Sequence, residues 1–365
     1  MREVFLENLR RAEQLLSGKG LERLIVFGPA NIQFLLGTDA ASIAVIGDEP
    51  VLITPRLEYL RAVEERAEGR VVAVAKAGEW SEYEEVVKGD FYDALSVVLK
   101  GFDPRKIGVA GASKDTLRKL AKKLGGKPVD ISGEFKMLRR RKTDKELALM
   151  RRAARVAEQA MQKAVDQLEP GVTEAEVAAA ILELMVSRGY TFSFYPIVAF
   201  GEHSAHPHAK PSTRKLREGE LVKIDLGARV GGYCSDMTRT FVYGKASRRQ
   251  RHIYEAVLES QEKSMEEVAA GISAEKPYRT AFKSLKERGL AKYFNHGLGH
   301  GVGIEIHEPP YLTAGTREKL VAGDVVTVEP GVYMAGYGGV RIEDMVVVKD
   351  GGAELLTFFD KFLEI

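Results

Sequence analysis

The chain contains a single cysteine, Cys234, in 365 residues. One thiol can form neither an intramolecular disulfide nor a zinc site made of several cysteines, and this scarcity is typical of a reducing compartment, so we expect a cytoplasmic protein. No apolar run approaches the roughly 20 residues of a membrane span, and the charged N-terminus lacks the apolar core of a signal peptide. The 54 basic residues nearly balance the 52 acidic ones, which argues against a nucleic-acid or membrane partner.

Four common functional motifs are also missing. In HEPPY, Tyr311 stands where a helical zinc motif would have its second histidine. The glycine-rich run GLGHGVG matches neither the dinucleotide-binding pattern nor the phosphate-loop pattern, and no G-x-S-x-G nucleophile elbow occurs. These absences disfavour a mononuclear helical zinc site, a nucleotide-binding domain and an α/β-hydrolase.

The length of the chain exceeds what one hydrophobic core usually supports, which predicts two domains. In residues 1–130, short apolar runs alternate with helical stretches and a GDEP turn joins two of the runs, so we predict an α/β domain with a mixed sheet. Residues 131–142 are interpreted as a linker, and the basic run KMLRRRK within it as a solvated face rather than a nucleic-acid contact. Residues 143–365 form the second predicted domain.

The second domain repeats one pattern twice, namely two helices followed by strands, which predicts an α+β fold. Thr143 with Glu146, and Thr173 with Glu176, fit the capping box that begins a helix. The predicted elements are helices from 143 and 173, the strand SFYPIVAF, a hairpin over 221–243, helices over 247–268 and 275–288, the strand GIEI, and a last pair of strands over 325–349. We expect the two halves to pack as a pseudo-symmetric pair.

Potential metal ligands are spread along this domain in or beside apolar, strand-like runs. They are Asp225, Asp236, His300, Glu329 and Glu343. An unpaired carboxylate is costly to bury, so these positions either face solvent or are compensated by positive charge. Four carboxylates and one imidazole suit a pair of divalent cations, which predicts a dinuclear metallohydrolase.

The hairpin supports the first pair of ligands. A turn near Val230 and Gly231 would place Asp225 directly opposite Asp236, where two bare carboxylates would repel each other unless cations lay between them. The opposite face of the hairpin would then be apolar, with Val222, Ile224 and Met237 on it. A slip of one residue would put the two aspartates on different faces.

The second pair of ligands shows a related pattern. In VRIEDMVVV, Arg341 and Glu343 alternate with apolar residues, so the guanidinium and the carboxylate share one strand face. We expect Arg341 to orient Glu343 and partly neutralise its charge there. The alternative interpretation, that the two residues form an ion pair on the protein surface, is less favoured. Glu329 stands before Pro330, where the chain turns away.

Four runs of the second domain carry a family signature: DLGARVGGYCSDMTRTF, NHGLGHGVGIEIHEPP, TVEPGVY and RIEDMVVV. Together they resemble the pita-bread metallopeptidase family, which includes methionine aminopeptidase, Xaa-Pro aminopeptidase and prolidase. The resemblance implies a C-terminal pita-bread catalytic domain. The N-terminal domain resembles the creatinase-type accessory domain of the proline-directed members, with NIQFLLG in place of a recurrent turn of that domain.

The resemblance implies that two divalent metal ions bind to each chain. Asp225 would chelate one ion, His300 and Glu329 would hold the other, and Asp236 and Glu343 would bridge both. Glu329 would also carry a proton from the attacking water to the leaving nitrogen. Because oxygen donors predominate, Mn²⁺ or Co²⁺ is favoured, with Zn²⁺ possible.

Other site residues follow from the resemblance as well. It implies substrate contacts for His307 and His208, and supporting roles near the metal ligands or the substrate for His296, Tyr333 and Arg341; for His296 a purely structural hydrogen bond is an equal alternative. The family pattern does not include His203 or His206, which we interpret as loop or rim residues. For Cys234 we expect a packing role.

The proline-directed branch implies an exopeptidase that hydrolyses the bond before a proline in the second position of a peptide. This bond is a tertiary amide without an N–H, so it requires a dedicated pocket. We expect a prolidase acting on dipeptides, and the alternative is an Xaa-Pro aminopeptidase acting on longer peptides. A non-catalytic peptide-binding scaffold and a metal-free creatinase-like hydrolase are disfavoured because all five ligands are present. The resemblance also implies a homodimer.

Overall fold

The computed structural model describes every residue from Met1 to Ile365, in two compact units, Met1–Arg139 and Arg140–Ile365. None of its helices is both long enough and apolar enough to pass through a bilayer. The predicted linker segment, 131–142, is largely helical, and the division between the units falls within it.

The first unit is built around one mixed sheet of seven strands in the order β5-β4-β3-β2-β1-β6-β7. Its strands are β1 (Arg23–Phe27), β2 (Ile43–Ile46), β3 (Val51–Pro55), β4 (Arg70–Ala75), β5 (Val86–Lys88), β6 (Ile107–Ala110) and β7 (Val129–Asp130). Its helices are α1 (Arg2–Gly18), α2 (Pro29–Leu36), α3 (Tyr59–Glu65), α4 (Phe91–Val98), α5 (Lys114–Leu124) and α6 (Ser132–Arg140). The GDEP turn joins β2 to β3 in antiparallel pairing while β3 and β4 are parallel, so the predicted hairpin and mixed sheet are confirmed.

The second unit has four long helices and several antiparallel sheets. The helices are α7 (Asp144–Asp166), α8 (Glu174–Ser187), α9 (Arg248–Glu266) and α10 (Glu275–Glu287). Capping boxes at Thr143 and Thr173 begin α7 and α8, as predicted. The same device at Ser247 begins α9.

The strands of this unit follow each pair of helices, which confirms the repeated pattern. They are β8 (Thr191–Phe192), β9 (Ile197–Phe200), β10 (Leu221–Leu226), β11 (Ala228–Val230), β12 (Tyr233–Cys234), β13 (Met237–Val242), β14 (Gly299–Gly301), β15 (Glu308–Leu312), β16 (Val325–Val328), β17 (Gly331–Met334), β18 (Gly338–Arg341), β19 (Asp344–Lys349) and β20 (Gly352–Leu355). The sheets have the orders β13-β10-β9, β12-β11-β8, β15-β14-β16-β19-β20 and β17-β18. A large apolar cluster lies between the helices and the strands of the second repeat.

The predicted register of the 221–243 hairpin was wrong by two residues. The turn lies at Gly231 and Gly232, both with positive φ, and Asp225 pairs with Thr238 instead of Asp236. Positive φ at both central positions is what the favoured two-residue hairpin turn requires, and glycine adopts it without strain. A shift of two leaves every side chain on its predicted face, and Val222, Ile224 and Met237 are fully buried.

Two further strand predictions were wrong. Residues 303–306, the predicted strand GIEI, form bends, and strands occur on either side of them as β14 and β15. The run VRIEDMVVV is not one strand, because pairing stops between β18 and β19 at the position of Glu343. In both places the pairing between strands stops beside a predicted site residue, His307 in the first case and Glu343 in the second.

The solvated interpretation of the basic run was also wrong for two of its residues. Arg140 and Lys142 are only 5% and 7% exposed. Arg140 Nη2 lies 2.6 Å from Asp324 Oδ2, and Lys142 Nζ lies 2.7 Å from Glu308 Oε1, both within the second unit. Buried cations require such partners, so Arg140 and Lys142 are part of the folded second unit.

Candidate active site

The structure brings all five predicted ligands to the wall of one cavity of about 970 Å³ in the second unit. Ligand atoms of Asp236, His300 and Glu343 lie within 4.8 Å of one another. His300 Nε2 lies 3.3 Å from Glu329 Oε1 and 3.6 Å from Asp236 Oδ2. Groups from both sequence repeats therefore converge on one place.

Asp225 lies within β10, whereas the other four predicted ligands sit where strands end, are interrupted or change register. Asp236 lies between β12 and β13, Glu329 directly follows β16, and Glu343 lies between β18 and β19. His300 is within β14, at a point where the register with β15 shifts. Where the hydrogen bonding between strands is interrupted, the backbone can depart from the regular alternation of side chains between the two faces of a sheet. This allows these groups to face a common cavity.

Asp225 contributes an unsatisfied acceptor to this cavity. Its Oδ2 accepts a hydrogen bond from Arg341 Nη2, whereas its Oδ1 is buried without a hydrogen-bond partner. A buried polar atom without a partner costs about 1–3 kcal/mol. A cation would satisfy this oxygen, so Asp225 fits the role of a metal ligand.

The cavity is also crowded with negative charge. Burial and then the neighbouring carboxylates raise the pKa of Asp236 and of Glu343 well above the ordinary values. Arg341 is the only lysine or arginine among the residues that line the cavity. One guanidinium cannot neutralise four carboxylates, and divalent cations would supply the missing positive charge.

His300 and Glu329 form a hydrogen-bonded pair. Burial by itself would raise the pKa of Glu329, but the hydrogen bond from His300 and the charges of His300 and Arg341 lower it to about 2. Burial would likewise lower the pKa of His300, and its hydrogen bond to Glu329 raises it instead. A metal binds only the unprotonated imidazole nitrogen, so a metal ion at His300 would compete with a proton, and its affinity should fall as the pH falls.

Two threonines that the sequence analysis missed orient the ligands. Thr238 Oγ1 donates to Glu343 Oε2 at 2.6 Å, and Thr327 Oγ1 donates to Glu329 Oε1 at 3.1 Å. Thr238 comes two residues after Asp236, and Thr327 comes two residues before Glu329. In an extended strand, residues two apart have side chains on the same face. That spacing was the signal that could have identified them.

Arg341, Tyr333 and His296 form a chain of hydrogen bonds beside the ligands. Arg341 Nη1 donates to Tyr333 Oη at 2.9 Å, and Tyr333 Oη lies 3.0 Å from His296 Nε2. His296 Nδ1 donates to the carbonyl of Gly297 at 2.7 Å, which leaves Nε2 as the acceptor for the tyrosine hydroxyl. Burial lowers the pKa of His296, consistent with this neutral tautomer.

The remaining predicted histidines line the same cavity. The His307 ring lies 4.2 Å from the His300 ring between centroids, and His208 is on the wall formed by residues 206–208. His206 is part of this wall, whereas His203 binds Glu174 through Nδ1 at 2.8 Å and is absent from the lining. Apolar side chains missed by the sequence analysis complete the cavity, namely Phe194, Ile197, Ile306 and the ring of Tyr311.

Comparison with known proteins places both units among characterised folds. Residues 148–350 match the model of metallopeptidase family M24, and residues 8–141 match the creatinase/prolidase N-terminal domain. The Xaa-Pro dipeptidase of Pyrococcus furiosus is 36% identical over 357 residues, which cover 96% of this chain and 97% of the relative.

Solved structures give a consistent result. The X-Pro aminopeptidase of Thermotoga maritima MSB8 superposes with a TM-score of 0.86 at 29% identity, covering 98% of this chain and 99% of that one. The prolidase of Pyrococcus horikoshii OT3 has a TM-score of 0.81 at 32% identity, with coverage of 98% and 99%. The relatives thus include both a dipeptidase and an aminopeptidase.

Proposed function

This chain belongs to metallopeptidase family M24, and from that premise we propose that it is a metal-dependent exopeptidase that hydrolyses the peptide bond before proline. The predicted fold class is confirmed, with a creatinase-type N-terminal domain and a pita-bread C-terminal domain. The observation that carries the proposal is the convergence of four carboxylates and one imidazole on one cavity.

Two divalent cations fit the donor set. Asp225 would hold one, His300 and Glu329 the other, and Asp236 and Glu343 both; the buried, unpartnered Oδ1 of Asp225 supports this assignment. Such cations lower the pKa of a coordinated water and polarise the scissile carbonyl. Because oxygen donors outnumber nitrogen by four residues to one, we favour Mn²⁺ or Co²⁺ and retain Zn²⁺ as an alternative.

Glu329 is our candidate for proton transfer. Its carboxylate is held by Thr327 and His300 on Oε1, while Oε2 has its nearest charged partner, Arg341 Nε, at 3.9 Å. Oε2 is therefore the freer oxygen to accept a proton from the attacking water and to pass it to the proline nitrogen. That nitrogen must gain a proton to leave as an amine. His208 and His307 would contact the peptide from the cavity wall.

The length of the substrate is the main question within this function. Relatives that match nearly the whole chain and are named Xaa-Pro dipeptidase or prolidase support a dipeptide substrate. One observation favours the aminopeptidase alternative: among the lining residues, the only lysine or arginine is Arg341, which binds Asp225, so none is left to hold the C-terminal carboxylate of a dipeptide. The histidines of the wall would have to bind that carboxylate instead.

Hydrolysis of Ala-Pro and of Ala-Pro-Ala-Ala by metal-loaded enzyme tests the proposal. A dipeptidase gives the higher kcat/KM on Ala-Pro, and the reverse order establishes the aminopeptidase alternative. We expect a chelator to abolish hydrolysis of both peptides and Mn²⁺ or Co²⁺ to restore it. Activity that survives complete metal removal would indicate the metal-free alternative, and a metal-replete protein inactive on both peptides would indicate a scaffold.

Cys234 provides a test of the packing interpretation. Its thiol is fully buried and donates to the carbonyl of Ile304 at 3.5 Å, and it does not line the cavity. A serine hydroxyl can make the same hydrogen bond, so we expect Cys234→Ser to change kcat/KM by less than about threefold and the free energy of unfolding by about 1 kcal/mol. Steady-state kinetics and urea denaturation measure both, and a loss of more than tenfold in kcat/KM would refute the packing role.

The cytoplasmic location and the homodimer remain predictions, as does the absence of a nucleic-acid partner. Gel filtration with light scattering would measure the oligomeric state.

A further inference from the structure

One wall of the cavity is a loop of residues 201–212, here called the histidine loop. It begins with a 3₁₀ helix, Gly201–Ala205, and has no other regular secondary structure. His206, Pro207 and His208 of this loop line the cavity. The positions of these side chains therefore depend on what holds the backbone of the loop.

A buried carboxylate ties the two ends of the loop together. Glu174, the first residue of α8, is fully buried, which is rare for a glutamate without multiple partners. It accepts hydrogen bonds from Phe200 N at 2.8 Å, just before the loop, and from Ser212 N at 2.9 Å and Ser212 Oγ at 2.6 Å, at the end of the loop. His203 Nδ1, within the loop, is a fourth partner at 2.8 Å.

A buried lysine holds the middle of the loop. Lys223 on β10 is fully buried, and its partners are main-chain carbonyls of the loop. Nζ donates to Ser204 O at 2.9 Å and to His206 O at 2.6 Å, and Pro207 O lies at 3.5 Å. An ammonium group has three donors, which matches three convergent acceptors.

We propose that Glu174 and Lys223 are positioning residues of the peptidase, which fix the histidine loop so that His208 and its neighbours meet the peptide. Neither side chain lines the cavity. Apart from Lys223 Nζ, which also lies 5.1 Å from the centre of the Tyr333 ring, their contacts with the cavity wall run through the loop. This inference rests on the proposed function, because it assigns a peptide to the cavity. A displacement of about 1 Å in a substrate-contacting group can cost up to about a hundredfold in kcat/KM, so losing either support should be measurable.

The test compares Glu174→Gln and Lys223→Met with the control Arg140→Met. The control also removes a buried cation in the same unit, but the partners of Arg140 include Asp324, Glu318 and the carbonyl of Lys319, which lie outside the loop. We expect both test variants to raise KM for Ala-Pro about tenfold or more, with kcat within about threefold and unchanged metal content. Amide hydrogen exchange over residues 201–212 should accelerate in both, whereas the control should lose stability with KM and loop exchange unchanged.

Several outcomes would overturn the inference: loop exchange equal to that of the unmodified enzyme, faster exchange with unchanged KM, or a loss of metal content in place of a rise in KM. Ser212→Ala provides a milder variant in case a buried substitution prevents folding. It removes the hydrogen bond from Ser212 Oγ to Glu174 and the one that Ser212 Oγ accepts from Arg214 N, both at the exposed end of the loop. An unchanged KM would count against the inference, since about a threefold rise is expected. If the unmodified, metal-loaded enzyme hydrolyses no peptide, the proposed function fails, and the exchange data alone decide whether Glu174 and Lys223 hold the loop.

Discussion

Replacing Glu343 by glutamine should lower kcat/KM for Xaa-Pro hydrolysis by about a thousandfold or more, equivalent to about 4 kcal/mol of transition-state stabilisation. Glutamine keeps the size of the side chain and an oxygen that can accept the hydrogen bond from Thr238. It removes the negative charge that lies among Asp236, His300 and the other ligands. Metal content per chain, measured with kcat/KM on the same sample, should fall in parallel.

The fold itself should survive this change. Glu343 is buried beside other carboxylates, so a neutral amide relieves repulsion, and the melting temperature of the metal-free variant should be no lower than that of the metal-free parent. Glu287→Gln, the same chemical change at an exposed position of α10, is the matched control and should keep full activity. Retention of more than a tenth of the activity in Glu343→Gln would show that this carboxylate is not part of the metal centre.

The sequence was sufficient to predict that five side chains meet, because the runs that resemble one metallopeptidase family carry all of them. They are the cavity-lining residues Asp225, Asp236, His300, Glu329 and Glu343. Asp225, His300 and Glu343 each lie in or beside an apolar run, where a charged or polar side chain calls for a partner. The capping boxes at Thr143 and Thr173 were equally readable, since they depend only on residues three apart.

Strand boundaries were less predictable because they depend on packing at close range. Gly303 lies against the side chain of Glu308 with no room for a Cβ, and its carbonyl accepts from Cys234 N at 2.8 Å. This packing holds residues 303–306 out of the sheet, although their apolar pattern is typical of a strand. The register of the 221–243 hairpin likewise depended on the position of a single turn, which lies at Gly231 and Gly232.

Partners that are distant in sequence could not be predicted at all. The run KMLRRRK has the composition of a solvated segment, and only the fold shows that Lys142 meets Glu308, 166 residues later. The contacts of Glu174 with the histidine loop were unpredictable for the same reason. Glu174 is the first residue of a helix, a position that favours an acidic residue in any protein, so its presence there indicates nothing about the loop. Hydrogen-bond partners across a fold carry no local pattern.

Replacing Arg239 by methionine should cost about 3 kcal/mol in the free energy of unfolding, because it leaves the buried carboxylate of Asp344 with Lys361 as its one remaining charged partner, at 2.9 Å. Arg239 is 1% exposed, and its Nη2 lies 2.7 Å from Asp344 Oδ1, itself fully buried. Its Nη1 donates to the carbonyls of Glu343 at 2.6 Å and Thr238 at 2.9 Å. The guanidinium thus links the segment that follows Asp236 to the segment that carries Glu343, two of the predicted ligands.

Urea denaturation of Arg239→Met measures this cost, with Arg251→Met as the matched control. Arg251 forms an exposed pair with Glu364, so its loss should cost no more than about 1 kcal/mol. Equal destabilisation by the two arginine substitutions would mean that the buried pair contributes little, and the two ligand-bearing segments would then be held together by the apolar core and by the bound metal ions.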